Sequence, residues 1–287
     1  MKIIIVGANG MLGHTLFLYL QKNHDVIGTV RSNSWHPKIL EGFNATEPEK
    51  YHELIKTEKP DIVINCIGVI KQREESFNKL LSIEINSLFP HKLAQICNQN
   101  SSKLVHFSTD CVFDGKKGSS YTEEDIPTAR DTYGLSKLMG EIDYPNSITI
   151  RTSIIGHELS NHKSLIDWFL TQENECKGFT KAIYSGFPTI AVARILENNV
   201  FTKLINNHAN GIYQMATDPI SKYDLLNIVA KIYNKDIKIN KEKDFQTDKS
   251  LIATRFNKDF SYIPEDWEFL IKEMHESYIN TRKIINL

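Results

Sequence analysis

Four side chains in the middle of the chain have the types and spacing that acid–base chemistry needs. Tyr133 and Lys137 are four residues apart, which places both side chains on one face of a helix. A phenol has an ordinary pKa of about 10, and a neighbouring ammonium group favours the phenolate and lowers that pKa. Ser108 and Thr109 add hydroxyl groups that can hydrogen-bond a carbonyl oxygen. Together these groups suit proton donation to a carbonyl that is being reduced.

On its own, the Tyr-x-x-x-Lys spacing is common on surface helices, and Ser and Thr often cap turns. A motif at the start of the chain helps to decide whether these residues are functional. A G-x-x-G-x-x-G motif follows a short apolar strand, residues 2–6, and opens a predicted helix over 11–22. Glycine permits a tight turn that a pyrophosphate can approach, and the helix N-terminus offers free N–H groups to the anion. This order predicts a dinucleotide site. Its residues are Gly7, Gly10, Met11, Leu12 and Gly13.

The end of the second predicted strand, residues 25–30, indicates the type of dinucleotide. NAD-binding proteins usually carry an acidic residue there, where it holds the ribose 2′-hydroxyl. Here the strand is followed by Arg31 and Ser32, and its acid, Asp25, lies at its beginning. A guanidinium group suits a 2′-phosphate. We therefore expect NADPH, with NADH as the alternative if Arg31 is an ordinary surface cation.

Strands and helices alternate through the first half of the chain. Apolar runs and amphipathic stretches predict further strands over 61–67, 103–108 and 147–152 and further helices over 47–58, 82–98 and 132–143. Such alternation indicates parallel strands joined by right-handed crossovers, so the predicted fold class is α/β, a doubly wound parallel Rossmann sheet. Ligands of such sheets bind at the carboxyl ends of the strands, where Ser108 and Thr109 lie.

After about residue 154 the alternation becomes irregular. Four helical patterns are separated by short apolar or turn segments, over residues 163–172, 190–206, 222–233 and 265–283. We expect a dinucleotide-binding domain over 1–153, to which a later strand can contribute. A smaller, largely helical substrate-binding region is expected over 154–287. No linker rich in Pro, Gly or Ser separates them, so we expect the two parts to pack together.

The composition argues against several other classes of protein. With 34 basic and 35 acidic residues the formal net charge is −1, which offers no electrostatic footprint for nucleic acid. No apolar run approaches the roughly 20 residues of a membrane span, and we expect no targeting segment. The spacing of the four cysteines and ten histidines predicts neither disulfides nor a metal site. We expect a soluble protein of the reducing cytoplasm.

These motifs carry a resemblance to a known family. Over nearly its whole length the chain resembles the extended short-chain dehydrogenases and reductases, specifically the dTDP-4-dehydrorhamnose reductase family. The most specific motifs are Ser-Thr-Asp-x-Val-Phe, which begins at Ser108, and Tyr-Gly-x-Ser-Lys, which begins at Tyr133. Further matches are the glycine turn, residues 65–68, Asn86, and residues 121–123, 151–153, 186–189 and 211–213.

The resemblance implies NADPH-dependent reduction of a 4-keto-6-deoxyhexose attached to a nucleoside diphosphate. It assigns catalysis to Thr109, Tyr133 and Lys137, of which Tyr133 and Lys137 also contact the cofactor. It adds to the cofactor site Cys66, Ile67, Gly68 and Asn86. It places at the nucleotide sugar Asp110, Cys111, Ile154 and Arg255, the last as a basic residue for the diphosphate.

Two positions depart from the family pattern. The family commonly has tyrosine at the position of Cys111 and tryptophan at that of Ile154, and both side chains shape the sugar pocket in typical members. The catalytic residues are intact, so reduction remains the predicted reaction. The sugar and the configuration at C4 stay open. An N-acetylated 6-deoxy-4-keto sugar on UDP is as compatible with the sequence as the dTDP-linked rhamnose precursor.

Two alternative functions also remain. Epimerases and dehydratases of the superfamily act on nucleotide sugars, and dehydratases need acidic residues beside the active hydroxyl. Asp110 follows Thr109, but Cys111 replaces the glutamate that normally accompanies it. Some relatives are regulatory subunits, such as one partnered with methionine adenosyltransferase, and these bind the dinucleotide without needing the catalytic residues. Intact catalytic residues favour the enzyme, and a homodimer is compatible with either function.

Overall fold

Strands and helices alternate as far as the sixth strand of the structure, except that β3 follows β2 without a helix. A computed structural model of the protein describes residues 1–70, 78–160 and 163–285. The strands in these residues are β1 (Lys2–Val6), β2 (Asp25–Thr29), β3 (Ile39–Leu40), β4 (Ile62–Asn65), β5 (Lys103–Ser108), β6 (Ser147–Arg151), β7 (Ile154–Ile155), β8 (Glu175–Tyr184), β9 (Phe187–Pro188), β10 (Gly211–Gln214), β11 (Ile220–Ser221) and β12 (Lys238–Asp248).

The helices of the same residues are α1 (Met11–Leu20), α2 (Pro48–Glu58), α3 (Lys79–Ser82), α4 (Phe89–Gln99), α5 (Thr132–Met139), α6 (Leu165–Thr171), α7 (Thr189–Ile195), α8 (Phe201–Ile205), α9 (Lys222–Ile232), α10 (Thr254–Asp259) and α11 (Trp267–Ile285). Two π-helical segments, Ile83–Leu88 and Leu196–Val200, connect α3 to α4 and α7 to α8. A 3-10 turn, Asp110–Val112, follows β5.

Seven of the strands form one parallel sheet in the order β10-β6-β5-β4-β1-β2-β3. The predicted α/β fold is confirmed. From β1 the chain first builds the sheet outwards through β2 and β3. It then returns to the other side of β1 and continues through β4, β5 and β6. This reversal opens a crevice at the carboxyl ends of the strands, where ligands of such folds bind.

Both faces of the sheet are covered, which explains the unbroken apolar sequence of the first strand. Ile3 and Ile5 face a core that includes residues of α1, α7 and α11. Ile4 and Val6 face a second core, which includes residues of α2 and α4. All four side chains have no exposed surface, and each fully buried side chain of this size stabilises the fold by roughly 1.5–3 kcal/mol. Packing therefore fixes the strand whose carboxyl end carries the glycine turn.

The region after β6 contains the predicted helices, together with a three-stranded sheet that was not predicted from the sequence. In this sheet β8 lies between β11, which is antiparallel to it, and β12, which is parallel. The sequence of β12 is mainly polar and charged, without the alternation that marks a half-buried strand, and most of its residues are exposed or half-buried. A further strand of this region, β10, pairs with β6 and completes the central sheet.

Helix α5 meets the first π-helical segment at a glycine. Gly140 is the C-cap of α5, and a Cβ at this position would overlap the carbonyl oxygen of Asn86. Close by, the Ser87 hydroxyl donates to the carbonyl of Ser136 at 2.8 Å. The helix predicted over 132–143 therefore ends earlier, at Met139. The contact fixes the helix that carries the tyrosine–lysine pair.

We expect Gly140→Ala to lower the free energy of unfolding by about 1–3 kcal/mol, because the added Cβ overpacks this backbone contact. Urea denaturation followed by circular dichroism measures the change. The control is Met139→Ala at the neighbouring side chain, which is 61% exposed and should stay within about 0.5 kcal/mol of the parent. Equal stability of Gly140→Ala and the parent would contradict the prediction.

Candidate active site

The glycine turn joins β1 to α1 at the carboxyl edge of the sheet. Gly7 has a φ of +92°, which favours glycine, and a Cβ at Gly13 would overlap the carbonyl oxygen of Gly7. Gly10 donates its N–H to the same oxygen at 3.1 Å and is the N-cap of α1, without a side-chain cap. No capping side chain therefore competes with an anion for the first N–H groups of the helix, which begins with Met11 and Leu12.

The loop after β2 lies against this turn. The Asn9 side chain donates hydrogen bonds to the carbonyl oxygens of Ser32 and Asn33, at 3.1 and 3.2 Å. Arg31 and Ser32 are exposed, and the Arg31 guanidinium has no hydrogen-bonding or ion-pair partner among the described residues. An unpaired guanidinium beside a phosphate-binding turn suits a second phosphate group. These residues therefore fit a dinucleotide with a 2′-phosphate.

The segment after β4 borders both the glycine turn and the catalytic pair. A Cβ at Gly7 would lie 2.8 Å from Cγ1 of Ile67 and 3.3 Å from the carbonyl carbon of Cys66. A Cβ at Gly68 would lie 3.9 Å from Nζ of Lys137. The structure thus brings together the predicted cofactor residues on β1, after β4 and on α5.

Asn86 links this segment to α5. Its side-chain oxygen accepts a hydrogen bond from the N–H of Val69 at 2.8 Å, and its nitrogen donates to the carbonyl of Val69 at 3.0 Å. The same nitrogen donates to the Ser136 hydroxyl at 3.1 Å, and that hydroxyl donates to the carbonyl of Tyr133 at 3.0 Å. Asn86 therefore connects the segment after β4 to α5 through its side-chain hydrogen bonds. Ser136 was not singled out from the sequence, although it lies inside the Tyr-Gly-x-Ser-Lys motif.

Thr109, Tyr133 and Lys137 meet at the carboxyl end of β5. The Thr109 hydroxyl accepts the N–H of Cys111 at 3.1 Å and is a hydrogen-bonding neighbour of the Tyr133 phenol. The Lys137 ammonium donates to the carbonyl oxygen of Phe107 at 2.6 Å. The three residues predicted to be catalytic are thus adjacent, at the edge of the sheet where ligands bind.

Burial controls the proton affinity of the pair. It lowers the pKa of Lys137 to about 8, against the opposing effect of the Glu141 carboxylate. It raises the pKa of Tyr133 well above its ordinary value, and the neighbouring Cys111 raises it further. The expected net lowering of the pKa of Tyr133 is therefore wrong, because desolvation of the phenolate dominates. Tyr133 stays protonated at neutral pH, in the form that can donate a proton.

Three of the four residues predicted at the sugar lie at this edge. Asp110 and Cys111 form the 3-10 turn directly after Thr109. Ile154 is half-buried at the start of β7, three residues beyond the end of β6. Burial raises the pKa of the Asp110 carboxyl, and burial with the nearby Asp110 charge raises that of the Cys111 thiol to about 11. The thiol is therefore neutral at physiological pH.

Arg255 does not join this group. Its guanidinium donates to the carbonyl oxygens of Ile212 and Asn210, at 2.9 and 3.2 Å, and lies 4.1 Å from the ring centre of Tyr213. The two carbonyl groups belong to the first half of β10 and to the residue just before it, and the amino end of a parallel strand is at the opposite edge of the sheet from Thr109. The predicted contact between Arg255 and the diphosphate is therefore corrected: Arg255 fastens α10 to β10.

Two lysines that were not singled out from the sequence lie closer to the site. Lys249 follows β12 and Lys222 begins α9 after β11, so they flank β8 on opposite sides. Both positive charges lower the pKa of Asp110, against the larger effect of burial. Neither ammonium has a hydrogen-bonding or ion-pair partner within the described part of the chain. Only the pairing of the three-stranded sheet brings them there, so no local pattern could have revealed them.

In residues 1–70, 78–160 and 163–285, no group of three or more His, Cys, Asp or Glu side chains could hold a metal ion. No helix in the same residues is long and apolar enough to cross a membrane.

A doubly wound sheet, a glycine turn and a half-buried tyrosine beside a buried lysine at one edge define a dinucleotide-binding protein of the Rossmann class. The chain belongs to the family described as the RmlD substrate binding domain, whose model matches residues 1–278. This confirms the family that the sequence motifs indicate.

Individual proteins extend the comparison. A probable low-salt glycan biosynthesis reductase of Haloferax volcanii is 31% identical over 163 residues, which is 54% of this chain and 54% of the relative. A dTDP-4-dehydrorhamnose reductase of Aggregatibacter actinomycetemcomitans is 25% identical over 301 aligned positions, covering 95% of this chain and 98% of the relative. A solved dTDP-4-dehydrorhamnose reductase of Bacillus anthracis, in complex with NADP, has a TM-score of 0.80 at 19% identity. The match covers 96% of this chain and 98% of that protein. The match thus spans about half of the first relative and nearly all of the other two.

The lowered pKa of Lys137 leads to a prediction about stability. The ammonium loses its proton at about pH 8 in the folded protein and near its ordinary pKa of 10.5 in the unfolded chain. Between these values the unfolded state holds more protons, so the stability contributed by this group rises with pH. Relative to Lys137→Met, the parent should gain on the order of 2 kcal/mol in free energy of unfolding between about pH 7.5 and 9.5.

Urea denaturation at a series of pH values measures this difference. The matched control is Lys243→Met at an exposed lysine on β12, whose difference from the parent should not change with pH. A difference between the parent and Lys137→Met that is also independent of pH would contradict the lowered pKa.

Proposed function

We propose that the protein reduces the 4-keto group of a 6-deoxyhexose attached to a nucleoside diphosphate, with NADPH as cofactor. The observation that carries the proposal is the meeting of Thr109, Tyr133 and Lys137 at the end of β5, beside the glycine turn. The family and the full-length relative named as a dTDP-4-dehydrorhamnose reductase support it. Such a reaction belongs to the synthesis of deoxysugar precursors for surface polysaccharides.

When bound, NADPH supplies the hydride for the reduction. The glycine turn and the N-terminus of α1 bind the pyrophosphate, and Arg31 with Ser32 binds the 2′-phosphate. The segment after β4 lines the nicotinamide side of the site, and Lys137 holds the ribose hydroxyls. NADH remains the alternative, in which Arg31 has no phosphate to bind.

The catalytic residues act on the keto oxygen. The Thr109 hydroxyl donates a hydrogen bond to it and fixes the carbonyl. Tyr133 keeps its proton until negative charge develops on that oxygen, because burial has raised the pKa of the phenol. It then transfers the proton to the oxygen, while the charged Lys137 stabilises the phenolate that remains. Proton donation of this kind contributes typically about 10²–10⁴-fold to the rate.

The region over 154–287 forms the other wall of the substrate site. Lys222 and Lys249 supply positive charge for the diphosphate, the role that the sequence motifs had assigned to Arg255. Cys111 and Ile154 line the sugar pocket with an uncharged thiol and an aliphatic side chain. This lining is compatible with dTDP- and UDP-linked sugars, with or without a 2-acetamido group.

The geometry favours reduction over the alternatives. Dehydration requires a base that removes a proton next to the keto carbon, and the thiol of Cys111 is protonated at neutral pH. A purely regulatory role would not need Thr109, Tyr133 and Lys137 to meet beside the cofactor site. We further place the reaction in the cytoplasm, because all four cysteines are free thiols.

Replacement of Tyr133 by phenylalanine tests the proposed reaction. We expect Tyr133→Phe to lower kcat by at least about 10²-fold, because the proton donor is lost, while the dissociation constant of NADPH stays near that of the parent. NADPH oxidation is measured with UDP- and dTDP-linked 4-keto-6-deoxyhexoses, with and without the 2-acetamido group.

Tyr144→Phe, which changes an exposed tyrosine outside the site, is the matched control and should keep full activity. Normal turnover by Tyr133→Phe would refute the role of Tyr133. The parent should consume one NADPH for each product formed, whereas an epimerase or dehydratase would regenerate its cofactor.

Replacement of Lys249 tests the substrate side. We expect Lys249→Gln to raise KM for the sugar nucleotide by about tenfold or more, since a hydrogen bond to a charged group is worth roughly 1.5–3 kcal/mol. The value of kcat should change little, because the diphosphate is bound alike in the ground and transition states. Lys243→Gln, at an exposed lysine on the strand that Lys249 follows, is the control. An unchanged KM in Lys249→Gln would remove this lysine from the diphosphate site.

A further inference from the structure

A buried ion pair lies behind the tyrosine–lysine pair and has no role in the chemistry described above. The Glu141 carboxylate accepts two hydrogen bonds from the Arg151 guanidinium, Nε to Oε1 and Nη2 to Oε2, both at 2.7 Å. It accepts a third from the Ser108 hydroxyl, also at 2.7 Å. The side chains of Glu141 and Arg151 are only 4% and 6% exposed. Bidentate contact with a guanidinium and a third donor hold the carboxylate in one orientation.

Consecutive residues at the end of β5 connect this ion pair to the catalytic group. The carbonyl of Phe107 accepts the Lys137 ammonium, and the next residue, Ser108, donates to Glu141. The residue after that is Thr109, whose side chain is the neighbour of the catalytic phenol. Glu141 also follows Lys137 by four residues and lies two residues beyond the end of α5. The carboxylate thus ties the end of α5 to the strand that carries the threonine.

The groups around Lys137 leave one negative charge to balance its ammonium. Burial raises the pKa of the Cys66 thiol and lowers that of the His106 imidazole, so both are neutral at pH 7. The Tyr133 phenol is protonated. The carboxylate of Glu141 opposes the effect of burial on the pKa of Lys137. Without it, Lys137 and Arg151 would be two buried cations with no counter-charge, which disfavours the charged form of the lysine.

We propose that Glu141 is a positioning residue of the active site, which keeps the buried Lys137 charged and holds the end of α5 against β5. Its importance for turnover rests on the proposed function. Its effect on the charge of Lys137 does not, and can be measured without any sugar substrate. An ion pair that served the fold alone would bind Arg151 without influencing the lysine.

The test is the affinity for NADPH as a function of pH, measured from NADPH fluorescence without sugar nucleotide. In the parent the affinity should fall as the pH rises through about 8, as Lys137 loses its proton. Glu141→Gln keeps the shape of the side chain and an acceptor for Ser108 but removes the charge. It should move this fall to lower pH by about one unit, which is a tenfold change in the proton affinity of Lys137.

The matched control is Glu273→Gln. It removes a carboxylate from an ion pair with Arg194, in a part of the fold remote from β5. It should reduce stability while leaving the pH dependence of NADPH binding where the parent has it. If Glu141→Gln does not fold, adding Arg151→Gln removes the guanidinium that the single variant leaves without its carboxylate, and the pH dependence should still shift in the same direction.

The proposal would be overturned if the affinity for NADPH fell at the same pH in either Glu141 variant as in the parent. Where the parent turns over a keto-sugar nucleotide, Glu141→Gln should also lower kcat at about pH 8 with little change in KM. Failure to turn over any such substrate would count against the proposed function alone, because the binding measurement requires none.

Discussion

The burial of one ammonium group, that of Lys137, is the constraint on which the site depends. An ammonium group in the interior loses its water of hydration, and apolar neighbours do not replace it. The pKa of Lys137 therefore falls to about 8. The structure compensates with a carbonyl oxygen from Phe107 at 2.6 Å and a carboxylate, that of Glu141, which is itself anchored by three donors. The close approach at Gly140 permits this arrangement, since a Cβ would separate α5 from the segment that it contacts. The site therefore holds a cation near its point of deprotonation.

The topology of the sheet sets the distance between the two halves of the site. β5, β4 and β1 are consecutive neighbours, and parallel strands lie about 4.8 Å apart, so the end of β5 is about 10 Å from the glycine turn. A dinucleotide is long enough to bridge that gap. The segment after β4 lies between them, with Ile67 beside Gly7 and Gly68 beside Lys137. The doubly wound order therefore places a phosphate site and an acid–base site at two points that one dinucleotide can span.

Local features of this site could be predicted from the sequence, because each is encoded within about ten residues. The glycine spacing after β1, the four-residue interval from Tyr133 to Lys137 and the apolar runs of the parallel strands all belong to this class. The direction of the pKa shift of Tyr133 could not, because it depends on how deeply the fold buries the phenol. The prediction for Arg255 was wrong for a related reason. A motif gives the residue type, whereas the tertiary pairing of the strands decides at which edge of the sheet that residue lies.

The substrate side shows the same limit most clearly. β8 pairs with β11 and β12, and the polar sequence of β12 gives little sign that it is a strand. Yet this sheet carries Lys249 and Lys222, and from β8 it supplies Tyr184, a buried phenol that donates to the carbonyl of Ser153 at 3.4 Å and feels the charge of Asp110. Where the family pattern has an aromatic residue beside Asp110, this chain has a thiol, and an aromatic side chain near that carboxyl comes from β8 instead. The shape of the proposed sugar pocket thus depends on the region that has the weakest sequence signal, while the proposed reduction chemistry depends on the region that has the strongest.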